Sequence, residues 1–404
     1  TYNLAAADNW LAGAAASVDI SDATGNGITV SNVNTFVGWQ QTGQEIDGVV
    51  QNRNFGDSVA ISADGRTIAS GAPTQNGEKY HSGVVRVFQL DNSDQWVQLG
   101  SDISGKDEGD QSGRAVSLSA DGTIVAIGSP RNDGSADDAG CVRIYELNGS
   151  NQWVQLGSDI QGLTSNDYSG DALSISADGH TVAIGAFLGD DASGNRTGHV
   201  RVFQLNGSNQ WSQLGGVLGG EAANDRFSEQ AVSISSDGRT VIAGANFNAG
   251  NGSHSGHARV YQLNDNDQWV QLGSDIDGKA GSDHFGYSVS ISGDAKTIAI
   301  GAVNNNSYNP VARGYAQIYR LNNSNQWVQV GADIVGKYNY ERVGWSVSLS
   351  EDGQRAAIGV PYGTGNKRWQ GLVAIYELNE SGQWSQLGSE IYGESEQDLS
   401  GDPV

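Results

Sequence analysis

The chain has 404 residues, 57 of them glycine and none methionine, and its 46 acidic against 22 basic residues leave a formal charge of −24. That balance excludes nucleic acid and anionic membrane surfaces as partners, because both need clustered Lys and Arg. No apolar run approaches the ~20 residues of a membrane-spanning helix, the N-terminal TYNLAAADNWLAGAAA lacks the basic n-region of an intact signal peptide, and Cys141, being alone, has no intrachain disulfide partner.

A unit of about 57 residues recurs six times, over 54–109, 110–166, 167–224, 225–282, 283–340 and 341–397. Each unit predicts four strands. The first alternates, as in Ala115–Ser119 (AVSLS) and Ala231–Ser235 (AVSIS), which is the period of a strand with one buried face. An Asp-Gly pair follows at Asp64-Gly65, Asp121-Gly122, Asp178-Gly179, Asp237-Gly238 and Asp352-Gly353. Between alternating runs this pair specifies a tight hairpin, since Gly accepts positive φ without steric cost. The second strand is apolar and ends in Gly, as in Thr181–Gly185 and Thr297–Gly301. A loop of variable length leads to the third, Val200–Leu205 and its equivalents, and a polar turn such as Asn206–Asn209 leads to the fourth, Gln210–Gly215. Four short antiparallel strands per repeat describe a propeller blade, which cannot bury both faces alone.

The ends carry pieces of the same unit. Trp39–Gly48 matches Trp269–Gly278, Asn9–Ala14 stands in the place of His180–Ala186, and Leu399–Val404 resembles Tyr168–Leu173. Six whole units plus one split unit, 398–404 with 1–53, predict a single all-β domain, a seven-bladed β-propeller closed by pairing of its N- and C-terminal segments.

The pairing of Phe55-Gly56 or Phe285-Gly286 with Gly71-Ala72-Pro73, and the variants Gly128-Ser129-Pro130 and Gly359-Val360-Pro361, resembles the FG-GAP repeats of integrin α-subunit propellers and their relatives. The resemblance implies an extracellular or cell-surface interaction domain. Calcium-binding members carry an Asp-x-Asp-x-Asp-Gly loop; no unit here has one, and Ser-Ala-Asp-Gly is a hairpin turn.

Residues common to every unit are first explained by packing. The ring of Trp39, Trp96, Trp153, Trp211, Trp269, Trp327 and Trp384 heads the fourth strands and suits the widening gap between blades. Arg86, Arg143, Arg201 and Arg259 share one place on the third strand and are expected to pair with acids of a neighbouring blade, such as Asp102 or Asp275. Residues that break the repeat are the binding candidates: Trp345 and Trp369, the latter beside Lys367 and Arg368, with Tyr80, Phe187, Phe247 and Tyr308 in the corresponding loops. Loops gathered on one rim would form a surface able to stack a sugar or grip a peptide.

Asp133, Asp137, Asp138, Asp190 and Asp191 lie in Gly-rich loops whose carboxylates and carbonyls suit Ca²⁺. Sequons at Asn148, Asn195, Asn206, Asn251, Asn305, Asn322 and Asn379 are acceptors for glycans in a secreted protein, four of them in the same outer turn. No catalytic motif emerges, and the six His residues are scattered, with His254 and His257 the one close pair. The expected role is therefore an extracellular or surface-displayed binding or structural module for a protein or glycan, with self-assembly as a variant. The alternative is a carbohydrate-active hydrolase or lyase with its site in the axial funnel.

Overall fold

The computed structural model describes residues 18–21, 27–30, 38–48, 54–191, 194–303, 313–365, 367–396 and 398–404. Six sheets follow one another along the chain, each of four antiparallel strands in sequence order with a fifth, two-residue strand returning to pair with the third. Blade one is typical: Ser58–Ile61, Thr67–Ala72, Val84–Leu90 and Trp96–Gln98, with Ile103–Ser104 beside the start of the third strand. The expected repeat, hairpins and strands are all present, and no described residue is helical.

The expected seventh blade is a correction. Among the described residues six four-stranded blades are formed, and Val18–Ser21 pairs with Gly27–Val30 in a separate two-stranded sheet. Asn9–Ala14 lies outside the described residues. The repeat-like end pieces do sit where the motif would put them, but neither becomes a strand. Segment 38–48 lies against blade one, where the Trp96 indole donates to the Thr42 carbonyl at 3.0 Å and Gln44 exchanges two hydrogen bonds with the Trp96 backbone. Segment 398–404 lies against blade six, through a parallel bridge between Gly371 and Ser400 and a bond from Ser346 Oγ to the Gly401 carbonyl. The two ends meet through side chains, Glu45 with Glu394. No strand ladder joins them among the described residues. Without partner strands beside them among the described residues, pieces of eleven and seven residues gain too few ladder bonds to form a blade.

The second strands of blades one to five are fully buried and that of blade six largely so, and the apolar core lies between blades rather than within them. One cluster joins Ile242, Val260 and Leu272 of blade four to Val289, Ile291, Ile298 and Ile300 of blade five. First strands form the hub, and the serines of their alternating pattern serve it: the backbone N–H groups of Ile175, Ile234, Ile291 and Leu349 donate to Ser117, Ser174, Ser233 and Ser290 of the preceding blade.

The two glycines of the repeat motif meet across blades. A Cβ on Gly244, at the end of a second strand, would lie 1.9 Å from the carbonyl oxygen of Gly286, and one on Gly71 would lie 2.0 Å from that of Gly113. Only Gly allows this approach, which brings the residue following each hub glycine to the axis. The aromatic that precedes the hub glycine, Phe285 or its counterpart Phe227, is fully buried.

Candidate functional site

The residues following the hub glycines, or Ser228 in blade four, form a circuit around the axis: Asp57, Arg114, Asp171, Glu229, Tyr287 and Trp345 from the six blades, and Asp402 from the C-terminal tail. Arg114 Nη1 is 2.7 Å from Asp57 and its Nε is 3.2 Å from Asp171, so one guanidinium holds two carboxylates from the blades on either side. Glu229 receives Arg226 at 2.9 Å. The Tyr287 and Trp345 rings are 4.7 Å apart, and the Trp345 indole bonds Asp402. Burial raises the Asp171 carboxyl against the opposing pull of Arg114, raises Glu229 against Arg226, and, with the charge of Asp57, raises Asp402. The arrangement is a partly desolvated cluster of four carboxylates and two guanidinia.

Over the charged half opens a cavity of about 520 Å³ whose lining includes Asp57, Arg114, Arg131, Tyr168, Asp171, Phe187, Arg226 and Glu229. Its wall comes from the first residues after the second strands and from the bends before the first strands. Beside it, aromatic contacts continue outward from the hub. Trp345 lies 6.1 Å from Tyr362, and Tyr362 lies 6.3 Å from Trp369. Arg342 covers the Trp345 and Tyr362 rings at 5.3 and 4.6 Å, and Arg368 covers Trp369 at 3.9 Å. One end of the ring thus carries an acid-and-arginine pocket with a row of aromatic rings leading away from it.

Of the sequence candidates, Trp345 and Trp369 are brought together, with Tyr362 between them. Phe187 lines the cavity and touches Tyr168 at 5.6 Å. Phe247 stands elsewhere, packed by His254 and His284 and covered by Arg226, at a second cavity of about 440 Å³. Tyr80 is stacked on His81 at 4.0 Å, apart from both. Tyr308 lies outside the described residues. Composition gave no hint of Asp57, Arg114, Asp171, Glu229 or Tyr287. Their signal was a single variable position behind a residue that is glycine in five of the six units and Ser228 in the other.

The loop acids are not brought together as a cation cage. Asp133 accepts the Asp138 backbone N–H, Asp138 accepts the Tyr168 hydroxyl, Asp137 offers its backbone carbonyl to Asn166, and Asp191 accepts Asn195. Asp190 makes a single backbone bridge to Arg196. Among the described residues, donor atoms of three acidic or His groups converge within 4.8 Å at Glu221, His257 and Asp275. There the Arg259 guanidinium contacts both carboxylates and supplies the positive charge. The Asp-Gly turns are likewise self-contained: Ser62 Oγ donates to Asp64 at 2.6 Å, which also accepts the Arg66 N–H.

Three of the recurring arginines pair within their own blade, although Arg259 also reaches Glu221 of the preceding blade, while Arg201 donates to the Gln161 carbonyl of the preceding blade. Arg86, Arg143 and Arg259 bond Asp102, Asp159 and Asp275, which precede the fifth strand of the same sheet. That short strand returns to the third, which sequence periodicity did not foresee. The outer-turn sequons are also explained by the fold, for Asn148, Asn206, Asn322 and Asn379 each cap their turn by accepting two backbone N–H groups. Asn195 and Asn251 are exposed, and Asn305 lies outside the described residues.

Residues 275–319 match the FG-GAP repeat family. No curated protein sequence matches the chain. Among solved structures, the fold is similar to a Bacteroides uniformis protein provisionally assigned as a 6-phosphogluconolactonase, at 12% identity and a TM-score of 0.57 over 84% of this chain and 86% of that one. It is similar also to the periplasmic gluconolactonase PpgL of Pseudomonas aeruginosa, at 13% identity and a TM-score of 0.54 over 83% and 88%. At such identity the likeness is one of fold. The chain is a β-propeller with an FG-GAP-type repeat at residues 275–319.

Proposed function

We propose that the chain is an extracellular or cell-surface recognition module that binds a glycan on the end of the ring carrying the axial cavity. The observation behind this is the unbroken row Tyr287, Trp345, Tyr362 and Trp369, in which each ring touches the next. The position of Trp345 is Asp57, Arg114, Asp171 or Glu229 in four other units, and that of Trp369 is His81, Asp138 or His254 in three, so blade packing does not demand these rings. Aromatic rings offer sugars their apolar face at little entropic cost, and the neighbouring carboxylates and guanidinia supply hydroxyl partners. A glycan array probed with the intact protein tests this. Binding that is lost in Trp345→Ala and Trp369→Ala while the melting temperature holds would support it. An array with no hits would overturn it. A chelator arm of the same array examines calcium assistance.

A hydrolase acting at the axis is favoured by a different observation. Arg114 brings Asp57 and Asp171 together at the mouth of the cavity, and burial raises Asp171 and Glu229 toward values useful to a general acid. The lactonase folds noted above make sugar lactones the first substrates to offer. Turnover abolished in Glu229→Gln would establish hydrolysis in place of simple recognition.

A further inference from the structure

The acidic character of the chain is uneven. Between Arg313 and Arg368 stand seven of its 22 basic residues against four acidic ones, so the remainder holds 15 basic against 42 acidic. Three of these cations have neutral partners: Arg313 donates to Asn339 at 3.2 Å, Lys367 to the backbone carbonyl of Glu394, and Arg368 lies over Trp369. Among the described residues none of the three has a carboxylate in ion-pair range.

The same sector exposes large aromatic side chains. Tyr338 is 63% exposed, Tyr340 54% and Trp369 36%. Tyr338 follows Lys337, whose ammonium bonds Glu390, and Glu390 in turn meets the Tyr392 hydroxyl at 3.5 Å. Tyr392 packs on the loop that holds Trp369, since a Cβ on Gly365 would meet its ring at 2.5 Å. The rings and cations are therefore neighbours on one rim, shared by blades five and six.

Two of the rings are held where local energetics disfavour them. Tyr340 has φ of 70°, at a position where the other units place Gly109, Asn166, Asn224 and Ser282. Trp369 has φ of 52°, where other units place His81, Asp138 and His254. Gly and Asn tolerate the left-handed region and bulky side chains do not. A solvent-exposed ring held in a sparsely populated backbone conformation is better accounted for by a ligand than by the fold.

We infer that this rim binds an anionic polysaccharide, its sugar faces stacked on Tyr338, Tyr340 and Trp369 and its acid groups neutralised by Arg313, Lys367 and Arg368. The inference rests on the glycan-binding function proposed above and adds the charge of the ligand. A polyanion is directed there because the rest of the surface repels it.

Three probes decide it by calorimetry: a polygalacturonate oligomer bearing carboxylates, a heparin-derived oligosaccharide bearing sulfates, and neutral dextran. One or both anionic probes bind and weaken as salt rises, while dextran does not bind. Tyr340→Asn with Trp369→His weakens binding at least about tenfold with an unchanged or higher melting temperature, because each replacement is what sister blades carry at that φ. Lys367→Gln with Arg368→Gln weakens the anionic probes similarly. Which anionic probe binds assigns carboxylate or sulfate. Equal binding of dextran, unaffected by Lys367→Gln and Arg368→Gln, overturns the anionic ligand and leaves the glycan function standing. No binding of any probe overturns both. Self-association in sedimentation that is abolished by the same ring variants assigns the rim to a second copy of the chain and overturns the inference.

Discussion

Glu45 and Glu394 share a hydrogen bond across the seam between the N-terminal segment and blade six. At three other seams the same two positions hold opposite charges, as Lys106 with Asp159, Lys279 with Asp333 and Lys337 with Glu390. Glu394, with Asp47 nearby, holds the Glu45 carboxyl above the usual carboxylate range. A raised pKa marks a contact that helps the folded state at low pH and is lost as pH climbs through the folded value. Glu394→Lys should therefore raise the melting temperature at pH 7, and the gap from the parent should shrink as pH falls through the carboxylate range. A gap that is constant with pH would show that the two acids do not interact in solution.

The Trp269 indole bridges blades three and four. Its Nε1 donates to the Leu214 carbonyl at 2.8 Å, and its ring lies 2.7 Å from where a Cβ would stand on Gly215, which has φ of 70°. The glycine is required by both its conformation and the ring above it. Trp269→Ala should cost ~3–5 kcal/mol by urea unfolding, the usual range for a large aromatic removed from a packed interface. Trp269→Phe keeps most of the packing and should cost little beyond the lost hydrogen bond, about 1 kcal/mol. Equal losses for the two variants would place the energy in the indole N–H.

The fold was largely legible because stacking writes the same demands into every unit. Asp64-Gly65 must turn, Trp269 must fill a gap, and Gly71 must let Gly113 approach, so each requirement recurs about every 57 residues. Counting blades from these marks failed at the ends. Thr42, Gln44 and Gly401 satisfy seam contacts with blades one and six, and those contacts need the motif residues without needing a whole blade behind them. The site was nearly illegible for the opposite reason. Asp57, Arg114 and Asp171 share one position but have different chemistry, and their meaning appears only when three blades bring them to one point. Trp345 and Trp369 were visible because they break the pattern.

Arg114 is the keystone of the charged half of the hub. Its side chain is 29% exposed, and the Asp171 it holds is 11% exposed. Arg114→Ala leaves two partly buried carboxylates facing each other and should destabilise by ~3–5 kcal/mol, as removal of one member of a buried ion pair does. Asp171→Asn removes a charge that burial already disfavours, leaves the Arg114 pairing with Asp57, and should cost clearly less. Chemical denaturation of both variants at pH 7 checks the order, and a larger loss for Asp171→Asn would reverse the assignment of the keystone.

His199 begins the third strand of blade three, where sister blades place Val84, Cys141 and Leu372. It is 3% exposed, and neither ring nitrogen has a hydrogen-bond partner. Burial, with Arg201 nearby and against the pull of Asp167, lowers its pKa from 6.5 to about 4. A base whose folded pKa is depressed contributes stability above its unfolded pKa and loses it as pH falls toward the folded one. Between pH 6.5 and 4 the parent should therefore lose roughly 3 kcal/mol through this residue, because each tenfold weakening of proton binding is worth about 1.4 kcal/mol. His257, similarly buried and lowered, adds to the same decline in the parent. His199→Leu, apolar like its counterparts, should leave the stability at pH 7 close to that of the parent and flatten the acid limb by the His199 share. Urea midpoints measured for both proteins from pH 7.5 to 4 isolate that share. Parallel acid limbs would mean that His199 is protonated without cost and reaches a polar partner in solution.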